Sequence, residues 1–254
     1  MGLFNPVRSF GFRFAKSRIN QSHPLAPSLI FFGVPWAGGF RDLVSGQNLT
    51  PVGKPFPATT PFGIGWQTGP FGGNDATRLG HFVTPTNPAY QPAANVGMSV
   101  CAGVYNPLGP FYGGGVNRLV EVTSGTDTTG VLWAGYTSAP EAVVGGSGGT
   151  STVFAPDGGT NGVAGPHSMM GTYTNGAGGL TTLSTQQSGG GINTGAGLAK
   201  TLAGLSYISI GDPGDSCGRP ILWAAVWQTA LSTALMTLAG KSLAVPPVVL
   251  LTRR

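Results

Sequence analysis

Charged side chains are scarce in this 254-residue chain, in which Asp, Glu, Lys and Arg together make up only 8% of the residues. An ordinary soluble domain has about a quarter charged residues. Intrinsic disorder does not explain the shortage, because disordered chains are rich in charge and poor in large apolar residues, whereas this chain is 41% hydrophobic. A surface covered by other protein needs less charge for solubility. The composition therefore indicates a folded chain that takes part in an assembly.

Acidic residues are absent from the first 41 positions. This stretch carries five basic residues, namely Arg8, Arg13, Lys16, Arg18 and Arg41. The remainder of the chain is neutral, so the net charge of +5 belongs to the N-terminus. A broad nucleic-acid-binding surface is disfavoured on this count, and we expect no nucleic-acid partner.

Cysteines and long apolar runs are also few. Two cysteines cannot build a disulfide framework or a metal cluster; Cys101 is predicted to be a small core residue, and a bridge to Cys217 is left open. Residues 220–240 are uncharged and long enough to span a membrane, but polar side chains interrupt their middle. They are better divided into a buried strand, 221–227, and a short helix that Ser232 caps and Gly240 ends. We therefore expect no membrane partner.

Glycine and proline, in contrast, are abundant, with 44 and 21 residues. They punctuate short apolar runs that are typical of strands. The predicted strands are 28–34, 78–84, 97–105, 116–123, 130–137, 168–174, 179–184, 206–211 and 221–227. The Gly/Ser/Thr-rich stretches 143–163 and 186–197 are predicted to be long loops. Many short strands without β-α alternation indicate an all-β, antiparallel sandwich or barrel.

The chain divides into three predicted segments: an extended arm (1–27), a sandwich (28–241) and an extended C-terminal tail (242–254) in which two prolines exclude a central strand. Aromatic and basic residues are interspersed in the arm: Phe4, Arg8, Phe10, Phe12, Arg13, Phe14, Lys16 and Arg18. An extended segment of this kind can lay its rings in grooves of a partner and pair its charges with acidic residues there. We expect a partner-binding arm rather than a flexible tail.

Four segments carry a resemblance to a known family. They are RDLVSGQNLT (41–50), GMSVCAGVYN (97–106), GPHSMMGTYTNGAGGLTTL (165–183), and LSYISIGD (205–212) followed by GRPILWAAVWQTALSTALMTLA (218–239). In the same order, they are similar to the early Asp-x-Ser-Gly-x-x-Asn turn, the central strand, a hairpin and the closing strand-helix element of laminin G-like domains in the concanavalin A-like lectin/glucanase class. The closing element, with Trp227, Ala230, Leu231 and Ser232, is the most specific. No tryptophan precedes His167, where the family has one.

The resemblance implies a two-sheet jelly-roll sandwich with one short helix near the C-terminus. Short relatives of this kind resemble accessory proteins of tailed-bacteriophage particles. The first functional hypothesis is therefore a non-enzymatic virion structural protein at the virion surface, a capsid decoration, minor capsid or fibre-base subunit. Its partners would be the major capsid protein, other virion proteins or further copies of itself, and we expect a homo-oligomer. The alternative is a carbohydrate-binding module for attachment to a host surface.

Residues for catalysis are lacking. Glycosidases use two carboxylates that flank the scissile bond, but the chain has only Glu121 and Glu141, and neither has an acid two residues away. The three histidines, His23, His81 and His167, suggest no catalytic grouping, and His167 is predicted to be a packed core residue. The glycine-rich runs lack the Lys-Ser/Thr of a phosphate loop. We therefore expect no enzyme and no cofactor.

The residue types alone allow two kinds of binding site, one for calcium and one for a sugar. Calcium needs several oxygen ligands, and the weak candidates are Asp212, Asp215 and Asp75, each of which could equally be a turn residue. A sugar site uses an aromatic platform with polar neighbours. Trp66, Phe111 and Tyr112, predicted to lie in loops, are the candidate glycan contacts; they could equally cover the core or a neighbouring subunit.

Overall fold

The computed structural model describes residues 18–69, 80–90, 97–107, 117–123, 131–136, 140–146, 149–154, 164–174, 179–186, 189–196, 206–211, 218–240 and 251–252. The strands of this part of the chain are β1 (Arg18–Ile19), β2 (Leu29–Trp36), β3 (Gly39–Asp42), β4 (Thr50–Gly53), β5 (Phe56–Thr60), β6 (Gly63–Gln67), β7 (Gly80–Val83), β8 (Met98–Asn106), β9 (Asn117–Thr123), β10 (Val131–Tyr136), β11 (Pro140–Gly146), β12 (Gly149–Phe154), β13 (Gly165–Thr174), β14 (Gly179–Gln186), β15 (Gly189–Ala196), β16 (Tyr207–Ile210), β17 (Ile221–Trp227) and β18 (Leu251–Thr252). One α-helix, α1, covers Thr233–Gly240.

Two antiparallel sheets form a β-sandwich of the jelly-roll type. The seven-stranded sheet has the order β12-β11-β10-β9-β16-β7-β4. The nine-stranded sheet has the order β15-β14-β13-β8-β17-β2-β3, and β6 joins it at β17 with β5 on its far side. The predicted sandwich is therefore confirmed, and so are the nine predicted strands, each of which overlaps a strand of the structure.

The main core lies between the two sheets and follows from the alternation along each strand. In β8, Met98, Val100, Ala102 and Val104 all point into it and are fully buried. The seven-stranded sheet contributes fully or almost fully buried side chains from β9, β10 and β16, namely Val120, Val122, Leu132, Ile208 and Ile210. Phe82 of β7 packs edge-on against Phe40 of β3 and so bridges the sheets.

A second apolar layer, which we call the outer layer, covers the opposite face of the nine-stranded sheet. It is built on Phe32, Cys101, Trp223 and Trp227 and is closed by α1 and by the chain around Leu25. This explains why β8 and β17 are apolar on both faces.

The N-terminal chain before residue 28 takes part in this layer. Leu25 is fully buried, and the Trp227 indole donates a hydrogen bond to its carbonyl oxygen at 2.7 Å. Ile19 pairs with Leu251 in the short β1-β18 sheet, and both pack against the outer layer. The packed unit therefore begins before the predicted boundary at residue 28, and the described end of the predicted tail touches it too.

The turn after β3 is the one that resembles the early family turn. The Asp42 carboxylate, 1% exposed, accepts hydrogen bonds from the Phe32, Val44 and Ser45 amides and from the Ser45 hydroxyl. Gly46 follows with φ of +75°, a conformation that favours glycine. The motif residues thus serve to lock a turn against the sheet.

The prediction that the Gly/Ser/Thr-rich stretches are long loops is wrong for 143–146, 149–154 and 189–196, which are strands; residues 155–163 lie outside the described part of the chain. In the first stretch, β11 forms a hairpin with β10, and β12 forms a hairpin with β11. In the second stretch, β15 forms a hairpin with β14. Strand propensity depends on neighbours more than on the residue itself, and here the preceding strand supplies the hydrogen-bonding edge. The short strands β3 to β6 also lie where no strand was predicted.

Three smaller predictions are confirmed. Cys101 is a buried free thiol. His167 is 5% exposed and packed at the start of β13. The helix begins after Ser232, whose hydroxyl accepts a 3.4 Å hydrogen bond from the Leu235 amide. Within the described residues, no helix has the length and apolar character of a membrane span.

Candidate functional site

Trp66 does not lie in a loop, as the sequence predicted. It belongs to β6, is only 7% exposed, and packs edge-on against Phe82 with ring centroids 5.2 Å apart. Its indole donates a 3.3 Å hydrogen bond to the Trp36 carbonyl. A ring enclosed in this way offers no face to a sugar, so the structure removes Trp66 from the candidate glycan contacts.

The remaining predicted site residues fall mostly outside the described part of the chain. This applies to Phe111 and Tyr112, to the calcium candidates Asp75, Asp212 and Asp215, and to the arm residues Phe4, Arg8, Phe10, Phe12, Arg13, Phe14 and Lys16. Arg18 is described and exposed at β1. Among the described residues, no group of three or more His, Cys, Asp or Glu side chains is placed to hold a metal ion.

A polar and aromatic group lies on the seven-stranded sheet, on the face that points away from the core. Leu132 and Ala134 of β10 point into the core, so Trp133 between them points outward. Glu121 of β9 is the direct cross-strand partner of Trp133 and lies on the same face. Ser209 of β16 is the partner of Glu121 on its other side.

A β-bulge brings Arg118 into this group. Residues three apart on a regular strand point to opposite faces, yet Arg118 and Glu121 share one. The pairing between β9 and β10 shifts register at Ala134/Gly135, and the extra residue on β9 is Leu119. Leu119 and Val120 consequently both face the core, and Arg118 turns outward.

Arg118, Glu121 and Trp133 are held together by direct contacts, and we call them the Arg118 group. Arg118 Nη1 donates to Glu121 Oε2 at 3.0 Å. The Arg118 guanidinium carbon also lies 5.4 Å from the centroid of the Trp133 ring, within cation-π range. The carboxylate and the ring fix the guanidinium in one orientation.

Burial within the Arg118 group is uneven. Glu121 and Trp133 are 1% and 5% exposed, whereas the Arg118 side chain is 12% exposed. Arg118 is therefore the member that a ligand can reach, and the other two position it. A planar guanidinium is a strong donor to carboxylate and hydroxyl oxygens, and it gains from being held in advance, since less side-chain entropy is lost on binding.

The same outward face carries further polar side chains next to the Arg118 group. Ser209 is buried, and its hydroxyl donates to the Gly211 carbonyl at 2.7 Å. Thr123, two residues after Glu121, is 2% exposed, and His81 of β7 is 9% exposed. This half of the face is therefore a mostly buried polar surface with an aromatic side chain at one end.

Two of the described acidic side chains are already engaged by neighbouring groups. Glu121 is paired with Arg118, and Asp42 is enclosed by its own turn on the other sheet. A hydrolase of this kind needs an acid and a second carboxylate on either side of one bond. Asp42 and Glu121 lie on different sheets and do not form such a pair.

Sequence reasoning missed the Arg118 group, although a signal for it was present. In VLWAGY (131–136) and NRLVEVT (117–123), a tryptophan and a glutamate alternate with apolar residues. The glutamate between two valines indicates an outward-facing position in 117–123, whereas the apolar run 131–136 does not by itself show which way Trp133 points. The bulge that adds Arg118 has no comparable signal in a single sequence.

Solved structures similar to this chain include saccharide-associated β-sandwiches. The binding domain of botulinum neurotoxin DC in complex with SialylT has a TM-score of 0.58 at 12% identity, over 85% of this chain and 51% of that one. A structure of botulinum neurotoxin type C, described with the dependence of its cell entry on two ganglioside molecules, has a TM-score of 0.57 at 10% identity. The match covers 85% of this chain and 51% of that one. Domain 4 of an extracellular arabinanase from Geobacillus stearothermophilus, in complex with arabinotriose, has a TM-score of 0.50 at 12% identity, over 83% and 97%.

These likenesses establish the lectin-like sandwich fold. This chain spans about half the length of the two toxin chains it matches. No protein-family model matches the sequence, and no curated protein does. The laminin G-like resemblance and the virion role remain predictions.

Proposed function

We propose that this chain is a non-catalytic saccharide-binding module and that Arg118 is its main described ligand contact. The observation that carries the proposal is the guanidinium of Arg118, which Glu121 at 3.0 Å and the Trp133 ring hold in place and which is the most exposed member of the Arg118 group. A saccharide presents hydroxyl and carboxylate oxygens, which are the acceptors that a fixed guanidinium favours.

The likenesses to solved structures support this proposal over the virion role. The toxin and arabinanase structures are described with SialylT, gangliosides and arabinotriose. They share a fold with this chain at low identity, and a fold alone does not determine function. The carbohydrate-binding alternative therefore rests on both the fold and the Arg118 group, whereas the virion hypothesis rests on family resemblance.

Phe111 and Tyr112 keep their place in the proposal. They belong to the segment 108–116, which runs from the end of β8 to the residue before β9, in which Arg118 is the second residue. Sugar sites combine an aromatic surface with a few fixed polar groups. Our proposal assigns the aromatic surface to this segment and the fixed polar group to Arg118.

The test is a glycan array with the full chain, carrying both neutral and sialylated saccharides. Arg118→Lys keeps the charge but loses the planar fork, so we expect its affinity for the bound saccharide to fall about tenfold or more. Tyr112→Ala should also weaken binding. Arg41→Lys, a half-buried arginine on β3 of the other sheet, is the matched control and should bind as the wild type does.

Two results would overturn the proposal. One is a blank array with folded wild-type protein. The other is saccharide binding that Arg118→Lys leaves at the wild-type level, which would place the ligand away from the Arg118 group. Circular dichroism of each variant separates loss of binding from loss of fold.

A further inference from the structure

Both sheets end, on the same side of the sandwich, in strands that carry neither charge nor proline. β12 (GTSTVF) is the terminal strand of the seven-stranded sheet, and β15 (GGGINTGA) is the terminal strand of the nine-stranded sheet. The two strands contact each other across the sandwich. On its outer side, a terminal strand presents a row of backbone N–H and C=O groups that its own sheet does not use.

The opposite edges are protected in the usual ways. β4 contains Pro51 and is followed by Lys54, and β5 contains Pro57; all three residues are exposed. β3 contains Arg41, which is half-buried. Proline removes a donor from the ladder and a charged side chain resists pairing, so these edges disfavour the addition of a strand. Among the described residues, proline and charge therefore protect the sheet edges on one side of the sandwich, and neither occurs in the terminal strands on the other side.

We propose that the unprotected side pairs with a second copy of this chain, β15 against β15 and β12 against β12 in antiparallel orientation. Antiparallel pairing of two identical strands is what a twofold axis generates. With the axis perpendicular to the sheets, one rotation extends both sheets at once. β15 has eight residues, or about 26 Å of ladder at about 3.3 Å for each residue.

The charge pattern favours a second copy over a charged partner. Residues 142–199, the part of the sequence that includes β12, β14 and β15, contain a single charged side chain, Asp157. An edge without charge neither repels its own copy nor selects an acidic or basic partner. The pairing also gives a physical reason for the shortage of charge in this half of the chain.

The test combines analytical ultracentrifugation with proline substitutions in the full chain. Successive N–H groups of a strand point alternately toward and away from its neighbour, so one of Asn193→Pro and Thr194→Pro removes only an outward donor. We expect the wild type to sediment at twice the mass of the 25.7 kDa chain. The variant that stays folded should dissociate, with a dissociation constant at least tenfold higher. Ala58→Pro and Thr59→Pro in the protected strand β5 are the matched controls and should remain dimeric.

Hydrogen exchange supplies a second readout that needs no variant. In the wild type, the outward amides of Gly189–Ala196 should be protected at high protein concentration and should exchange on dilution. Wild-type protein that stays monomeric at every concentration overturns the proposal. So does a dimer in which these amides exchange equally fast at both concentrations.

Discussion

Cys101 and Glu121 are both almost completely buried, and they show how differently the two faces of this sandwich treat an ionisable group. Cys101 lies in the apolar outer layer, and burial raises the pKa of its thiol well above its ordinary value of 9.0. Glu121 lies on the opposite side of the molecule beside Arg118, which compensates its charge. A buried ionisable group either stays neutral or needs a partner.

The Cys101 thiol makes stability depend on pH in the alkaline range. Its pKa is higher in the folded than in the unfolded chain, so its contribution is fully present below about pH 9 and is lost as pH rises. We expect the free energy of unfolding to fall by up to about 1.4 kcal/mol for each pH unit above 9 relative to the Cys101→Ala variant. Urea unfolding of both proteins between pH 8 and 10.5 measures this difference.

Comparison with Cys101→Ala isolates the thiol from other alkaline groups. The pKa of Tyr90 is also raised, mainly by burial and further by the Asp42 charge. Tyr90 therefore weakens the fold in the same direction, but it is present in both proteins and cancels in the difference. Parallel stability curves for the two proteins would contradict the assignment to Cys101.

At the scale of elements, two local departures from regular backbone geometry determine where particular side chains lie. The bulge at Leu119 turns Arg118 onto the face of Glu121. The turn between β2 and β3 depends on Gly39, which has φ of +136° and allows Phe82 to approach closely. In both cases the position of a functional or core side chain follows from a backbone irregularity.

Gly39→Ala should be markedly destabilising. A Cβ at Gly39 would lie 2.6 Å from Cε1 of Phe82, in addition to the cost of a positive φ. Gly46→Ala is the control, because Gly46 also has a positive φ but the atom nearest to an added Cβ, Arg41 Nη2, lies 4.0 Å away. We expect Gly39→Ala to lower the free energy of unfolding by about 1–3 kcal/mol more than Gly46→Ala does. Equal urea midpoints for the two variants would show that the Phe82 ring can move away from an added Cβ without loss of stability.

At the scale of the whole molecule, residues 18–27 and the strand at Leu251 cover part of one face of the sandwich. Ile19 and Leu251 pair with each other and pack on the outer layer, and Leu25 covers Trp227. The predicted arm is thus two parts: residues 18–27 belong to the packed unit, while the aromatic and basic residues before them remain a predicted partner-binding segment. A test of that segment must leave residues 18–27 in place.

Two truncations distinguish these parts. Deletion of residues 1–27 removes Leu25 and leaves the Trp227 indole without its acceptor. We therefore expect it to lower the free energy of unfolding by about 3 kcal/mol or more relative to deletion of residues 1–17. Guanidinium unfolding of both truncations measures the difference. Leu25→Ala in the full chain should reproduce part of it, and equal stability of the two truncations would show that this contact contributes nothing.

The sequence alone determined the class of fold and the placement of nine of the eighteen described strands. Alternation along 97–105, the apolar run 221–227 and the Ser232 cap are local signals, and local signals survive in any tertiary context that buries them. They predicted the sandwich, the buried Cys101 and His167, and the short helix.

Only the tertiary structure decided which side chains meet. Trp66 is enclosed because β6 joins the nine-stranded sheet at Ile221. The Gly/Ser/Thr-rich stretches form strands because β10 and β14 provide edges for them. Arg118 reaches Glu121 and Trp133 because of one inserted residue in β9. Strand pairing joins residues far apart in the chain, and its register fixes which face each side chain takes, so a single sequence does not contain that information in local form.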